Sequence, residues 1–391
     1  MDDIHQKSRG EGITIAVLDT PINPDFPDLV GTDLNVHEPS FCAAEEGGPA
    51  LPATSIDATA NHGTGITSLL IGTGAGTNGQ TGIPGVAPDV TVNYYAVARP
   101  VDSGSGLVEC PAPDSILGAG LGTPANAALK QAIADGADII NFSTSGRYLP
   151  QDIAAAQRAG IILVASAGNR PGEVGELPAS RNGVIAVGSV TQDVTLWENT
   201  PSGDQLAVVA PGVAMRVPNL AFDGYMTADG ASLAAPFTAG TIALAWSLHP
   251  DATANQMIQA LFRTTGGTVH GLERDDFWGY GIVSADQLVR VLPTTFPDEN
   301  PMLFDGTDRV PLVSEVLTSE ATASPTPTAT TDPPTTAAPQ DDETDDTSAP
   351  IGLIAGIAGG IALALILTVV LIGRRRPDAT TDTDQRGAHD A

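Results

Sequence analysis

Positive charge is scarce in this 391-residue sequence: 17 Lys and Arg stand against 46 Asp and Glu, a formal net charge of −29. A field of that sign repels phosphate backbones, which excludes nucleic-acid partners. Cysteine is nearly absent as well. Cys42 and Cys110 form no CxxC pair and have no histidine cluster nearby, so zinc and dithiol redox chemistry fall away. One disulfide or two free thiols remain, and an oxidising location favours the bridge. The first residues, MDDIHQKSRGEG, lack the basic n-region and apolar h-region of a secretory signal. A leader or an earlier start upstream is expected, because charge around a C-terminal apolar run places most of the chain outside a membrane.

What the sequence holds in quantity is apolar residues and turn formers: 42% hydrophobic, with 43 glycines and 31 prolines. Residues 1–291 alternate apolar runs, Gly/Pro turns and amphipathic stretches, as one large folded domain should. From 292 to 350 the chain turns to Pro, Thr, Ser and acid (SPTPTATTDPPTTAAP, QDDETDD). Such a segment buries too little apolar surface to offset chain entropy, so a disordered linker or O-glycosylated stalk is predicted. Residues 351–373 (IGLIAGIAGGIALALILTVVLIG) carry no charge and are long enough to cross a bilayer as a helix. Arg374, Arg375 and Arg376 follow at once, which favours a short cytoplasmic tail at 374–391. The predicted location is the cell membrane, single-pass, with the folded domain extracytoplasmic.

Within the folded domain, residues 13–18 (ITIAVL) form a short continuous apolar run rich in β-branched side chains, the pattern of a strand buried on both faces. Similar runs recur at 90–97, 139–142, 161–165, 184–187 and 206–210, with helical patterns between several of them, among them 124–134 and 151–159. This alternation predicts an α/β fold: a mostly parallel sheet with helices on both faces. In such sheets the site lies at the carboxyl ends of the strands.

Four polar residues fall at places that matter under that rule. Asp19 ends the first strand; taken alone it reads as a turn or capping aspartate. His62 lies in Asn61-His62-Gly63-Thr64-Gly65 at the start of an apolar helix, where a lone histidine is more often structural than catalytic. Ser232 opens the helix that begins in DGASLAAP; it suits an N-cap, but the same helix end offers free N–H groups where an oxyanion would develop. Asn169 closes the strand-and-turn IILVASAGN, an ordinary turn asparagine whose amide can also donate to an oxyanion.

The chain order Asp, His, Ser, with ITIAVLDT, NHGTGI, GVAP (85–88), ASAGN, VIAVGSV, VVAPG, GASLAAP and WGYGIVSADQLV (278–289), strongly resembles the subtilisin-like serine peptidases over residues 12–288. The resemblance implies that Ser232 is the nucleophile, His62 the general base, Asp19 its orienting carboxylate and Asn169 an oxyanion-hole donor. It further implies that Ser143, Thr144, Ser145 and Gly146 pair with an extended peptide or protein substrate. Ala165, Ser166, Ala167 and Gly168 would then form the opposite wall of the pocket for the residue before the cut. No cofactor is required by this chemistry. Many members bind calcium, but the loop at 72–82 (GTGAGTNGQTG) has no carboxylate, so no metal site is assigned.

The sequence departs from the family pattern at Pro21, at Gly65 in place of a second histidine, at Ala231 in place of a threonine that assists the oxyanion hole, and at Phe237. None of these removes a triad member. Apolar C-terminal span, stalk and a cysteine-bearing insertion between Asp19 and His62 together resemble the mycosin branch, membrane-anchored subtilases that accompany type VII secretion. Secretion components are thus candidate partners, and the alternative reading is a slow or inactive protease-like scaffold for such a complex.

Overall fold

The computed structural model describes residues 1–100 and 106–317. The expected stalk beyond 317, the apolar span 351–373 and the tail 374–391 lie outside the described residues.

Eleven strands and nine α-helices occur among the described residues. The strands are β1 (Thr14–Asp19), β2 (Leu34–Val36), β3 (Thr91–Ala96), β4 (Ala98–Pro100), β5 (Leu107–Glu109), β6 (Ile139–Phe142), β7 (Ile162–Ser166), β8 (Ile185–Val190), β9 (Leu206–Pro211), β10 (Met215–Pro218) and β11 (Tyr225–Ala228). The helices are α1 (Asp2–His5), α2 (Asn61–Ile71), α3 (Asp114–Gly118), α4 (Pro124–Ala134), α5 (Pro150–Arg158), α6 (Ala231–Leu248), α7 (Ala254–Arg263), α8 (Ala285–Leu288) and α9 (Val313–Leu317). Seven strands make one sheet in the order β2-β3-β1-β6-β7-β8-β9, and every pairing in it is parallel. The α/β fold read from the sequence is the fold found. Its six apolar runs become β1, β3, β6, β7, β8 and β9; β6 keeps the bounds read from the sequence, and the other five differ by one to three residues at one or both ends. The short strand β2 and the hairpins β4–β5 and β10–β11 carried no comparable apolar signal.

Strand alternation explains why both sheet faces are covered. Ile15 and Val17 of β1 pack into the cluster formed with α2, α6, α7 and α8, whereas Ala16 and Leu18 join the cluster under α4 and α5. Helix α6 lies across β6 to β9, and its apolar residues occupy every side, as a helix buried in a core requires. By length and composition it is also the one helix among the described residues that would suffice to cross a membrane, but it is buried in this core. Burying a side chain such as Ile242 or Leu244 completely contributes roughly 1.5–3 kcal/mol each. From β1 the chain moves to β3 and β2 on one side, and from β6 it builds outward on the other. The topological switch, where the carboxyl ends leave a crevice, therefore lies between β1 and β6.

The folded part extends past the boundary expected at 291. Met302 is fully buried in the main core cluster. The Asn182 side chain donates to the carbonyls of Phe304 and Pro311, both at 3.1 Å, and Gln259 Nε2 donates to Glu299 O at 2.9 Å. Residues 292–317 are thus a strap bound to the domain rather than linker. Composition misjudged them because side-chain amides of the domain, not a ladder of their own, satisfy their backbone.

Cys42 and Cys110 are bonded, with 5.3 Å between their Cα atoms. The bridge ties the insertion after β2 to the end of the β4–β5 hairpin. Beneath the loop at 72–82 lies Asp28, with no exposed surface. Its Oδ1 accepts from Gly76 N at 2.9 Å, and its Oδ2 accepts from Ile83 N at 2.9 Å and from Tyr225 Oη at 2.8 Å. A cation here would have to displace these donors, and the loop supplies no carboxylate of its own; the residues do not fit the calcium site of some relatives.

Two expectations follow from these constraints. Replacing both cysteines with serine should lower unfolding free energy by about 4 kcal/mol, the chain-entropy value for a loop of this size, in denaturant titration under non-reducing conditions. The 72–82 loop should hold without metal, so the thermal midpoint should be the same in EDTA as in calcium; a higher midpoint in calcium would show a cation site.

Candidate active site

Continuing the alternation of Ile15 and Val17, Asp19 points to the face that α2 and α6 cover, and it has no exposed surface. The first turn of α2 is stitched to the chain just beyond it. Gly63 N donates to Thr20 Oγ1 at 3.1 Å, and Thr64 Oγ1 accepts from Asn23 N at 2.9 Å while donating to Ala60 O at 2.6 Å. The buried Tyr94 hydroxyl of β3 donates to Thr20 O at 2.6 Å. Burial, and secondarily the charge of Asp19, push its pKa well above the usual tyrosine value. A Cβ at residue 63 would stand 1.8 Å from that hydroxyl and 2.8 Å from Pro21 O, so the close approach needs glycine.

This stitching brings His62 to the carboxylate: His62 Nδ1–H donates to Asp19 Oδ1 at 2.6 Å, with the imidazole 25% exposed. Thr20 N donates to the same oxygen at 2.7 Å, while Asp19 Oδ2 is buried without a partner. Because Nδ1 carries the proton toward Asp19, Nε2 is left as the basic nitrogen.

Ser232 is the second residue of α6, beyond the N-cap Gly230. Asn169 Oδ1 accepts from Ala231 N at 2.8 Å, which fixes the amide and leaves its Nδ2 as the donor. A Cβ built at Gly230 would be 3.1 Å from Ser232 Oγ and 3.4 Å from Asn169 Nδ2, so hydroxyl and amide share one small space that only glycine leaves open.

Pro236 has no N–H, so the Ser232 carbonyl four residues earlier loses its helical partner. Ser143 Oγ donates to that carbonyl instead, at 2.8 Å, and Asn141 Nδ2 donates to Ser143 Oγ at 2.9 Å. A buried relay from β6 thus replaces the missing helix bond and fixes the turn that carries Ser232. The sequence held a signal for this, a proline at position i+4 from the serine, which motif reading passed over.

Asn61, His62, Ser143, Thr144, Ser145, Ser166, Gly168, Asn169 and Ser232 open on one cleft of about 870 Å³, which Glu176, Trp197 and Leu220 also border. No hydrogen bond joins His62 to Ser232 among the described residues. The Asp19–His62 half of the arrangement is closed, and His62 and Ser232 meet only in sharing the cleft; catalytic bonds of this kind often tighten only with substrate bound.

The residues expected to form the substrate walls do not all reach the cleft. Residues 143–146 follow β6 but are not strand, and Gly146 N already donates to Leu177 O at 3.1 Å. Ala165 and Ala167 are buried in the core behind the cleft because alternation turns them to the α4–α5 face. Ser143, Thr144, Ser145, Ser166 and Gly168 are the members of the two segments that reach it.

Among the departures from the family pattern, Gly65 lies against Val217 of β10, with a built Cβ 3.4 Å from it, in ordinary contact. Phe237 packs partly buried against the main core.

The Subtilase family profile matches residues 10–281. Subtilisin DY of Bacillus licheniformis is 29% identical over 290 residues, spanning 72% of this chain and 92% of that protein. A thermostable alkaline protease of Halalkalibacterium halodurans is 32% identical over 284 residues, spanning 71% of this chain and 67% of its own length. Among solved structures, fervidolysin of Fervidobacterium pennivorans, a keratinolytic enzyme related to subtilisin, shares the fold at a TM-score of 0.55 and 22% identity, covering 74% of this chain and 44% of that one. With its parallel sheet, and with aspartate, histidine and serine gathered at the switch between β1 and β6, the chain belongs to the subtilase family and is a subtilisin-type serine peptidase.

Proposed function

We propose that the protein is a membrane-anchored, extracytoplasmic endopeptidase that cleaves peptide bonds through an acyl-enzyme on Ser232. The observation that carries this reading is the buried Asp19 carboxylate bound at 2.6 Å to His62, in the cleft that also holds Ser232 and Asn169. Ser232 Oγ attacks the scissile carbonyl carbon as His62 Nε2 takes its proton. Asp19 keeps Nδ1–H in place and stabilises the imidazolium. The oxyanion receives hydrogen bonds from Asn169 Nδ2 and the Ser232 backbone N–H at the α6 start. His62 then protonates the leaving amine, the C–N bond breaks, and water activated by the same nitrogen hydrolyses the ester and returns the proton to Ser232. Ser143 acts in this scheme as a positioning residue, holding the Ser232 carbonyl that Pro236 leaves without a helical donor.

Anchoring rests on the uncharged run 351–373 followed by three arginines, with the peptidase domain outside and the tail in the cytoplasm. The mycosin-type assignment rests on that architecture together with the Cys42–Cys110 bridge in the insertion between Asp19 and His62. Components of a type VII secretion complex are the partners it would imply.

Replacing Ser232 with alanine should abolish labelling by a fluorophosphonate probe while circular dichroism stays unchanged; undiminished labelling would rule Ser232 out as nucleophile. In cells, a catalytic role predicts that the secretion complex survives both the Ser232→Ala substitution and deletion of the chain, whereas loss of the complex on deletion but not in the variant would mark a scaffold. Ser143→Ala should lower kcat roughly tenfold to hundredfold with little change in KM, since it loosens the nucleophile rather than the substrate.

A further inference from the structure

One carboxylate in the cleft has no part in the catalytic scheme. Glu176 lies on the chain beyond Asn169 and returns to the segment that follows β6, where Ser145 Oγ donates to Glu176 Oε2 at 2.5 Å. On the β7 side it lies against Gly168: a Cβ built there would be 3.6 Å from Glu176 Cδ. Gly168 has φ +109°, a conformation that favours glycine, and the missing side chain leaves the space the carboxylate borders. Glu176 therefore bridges the two segments, 143–145 and 166–168, whose residues line the cleft beside Ser232.

The charges around it leave Glu176 available. Asp229 also borders the cleft, but its Oδ1 is taken by Ala214 N at 2.7 Å. Arg170 is the lining cation, and no ion pair joins it to Glu176 among the described residues. Glu176 Oε1 likewise has no hydrogen bond there, so one oxygen is held by Ser145 and the other is left to accept from a ligand. Ser143, Thr144, Ser145, Ser166 and Gly168 line the approach with no bulky side chain and no second charge, which leaves room for an unbranched stem ending in a cation.

On the reading of Ser232 as nucleophile, we propose that Glu176 sets specificity, selecting a lysine or arginine side chain on the residue that precedes the scissile bond. The stem would lie along Ser143–Ser145 and Ser166–Gly168 and the cationic head would meet the Glu176 carboxylate. The same carboxylate repels acidic side chains, and the strongly negative chain draws basic segments toward it.

The test uses two measurements on the full chain in detergent. In the first, peptides identical except for Arg, Lys, Met or Glu at that position are titrated onto the Ser232→Ala protein, so that no turnover is needed. Arg and Lys peptides should bind roughly tenfold or more tighter than the Met peptide, and Glu176→Gln in the same background should erase that ratio. In the second, kcat/KM ratios for the same peptides are read on the otherwise native chain with and without Glu176→Gln, and Glu176→Arg should turn the preference toward the Glu peptide. Tighter binding of Met than of Arg, or an Arg preference that survives Glu176→Gln, would overturn the proposal. Selective binding without hydrolysis or probe labelling would instead overturn the catalytic reading and leave Glu176 as a recognition residue.

Discussion

A carboxylate with no exposed surface ends the first strand, and much of the surrounding structure answers to it. Burying a charge is costly unless hydrogen bonds replace the lost water. Asp19 receives two N–H groups on one oxygen, from Thr20 and His62, and none on the other. That imbalance leaves His62 as the one side chain that answers the buried carboxylate. The close approach of α2 follows from the same need: Gly63 allows contact with Tyr94, and Thr20 and Thr64 tie the helix start to the end of β1. The histidine is thus placed by backbone hydrogen bonds and a missing side chain rather than by its own packing.

The Ser232 side depends on a different compensation. Pro236 would ordinarily weaken the helix that carries Ser232, by removing a bond and freeing a carbonyl. Ser143 takes over that carbonyl, and Asn141 in turn holds Ser143. The substitution of a side-chain donor for a helical one couples the first turn of α6 to a central strand, so the turn is fixed by the sheet rather than by the helix alone. Asp28 shows the same strategy away from the site, where two backbone N–H groups and a tyrosine hydroxyl occupy a carboxylate under a glycine-rich loop.

Particular elements show where sequence reasoning carries and where it stops. Continuous apolar runs located six of the seven sheet strands, because a parallel strand buried on both faces needs apolar residues at every position. β2 escaped notice with only three residues and a half-exposed pattern. The boundary at 291 failed because composition cannot register that Asn182 and Gln259 supply partners to an otherwise polar strap. At the site, Asp19, His62, Asn169 and Ser232 were legible from motif context. Gly146, Ala165 and Ala167 do not line the cleft, since which way a residue faces depends on strand alternation and loop geometry. Glu176 belongs to no motif and is brought to the cleft only by the loop after β7.

The sequence by itself determined the fold class, the family and the residues able to perform the chemistry, because buried parallel strands and motif order leave periodic and local traces. Tertiary structure alone decided which groups share the cleft, how the Ser232 carbonyl is satisfied, that the strap after 291 belongs to the domain, and that Glu176 borders the cleft that holds Ser232. Those outcomes depend on contacts between residues far apart in the chain, whose partners no local pattern names.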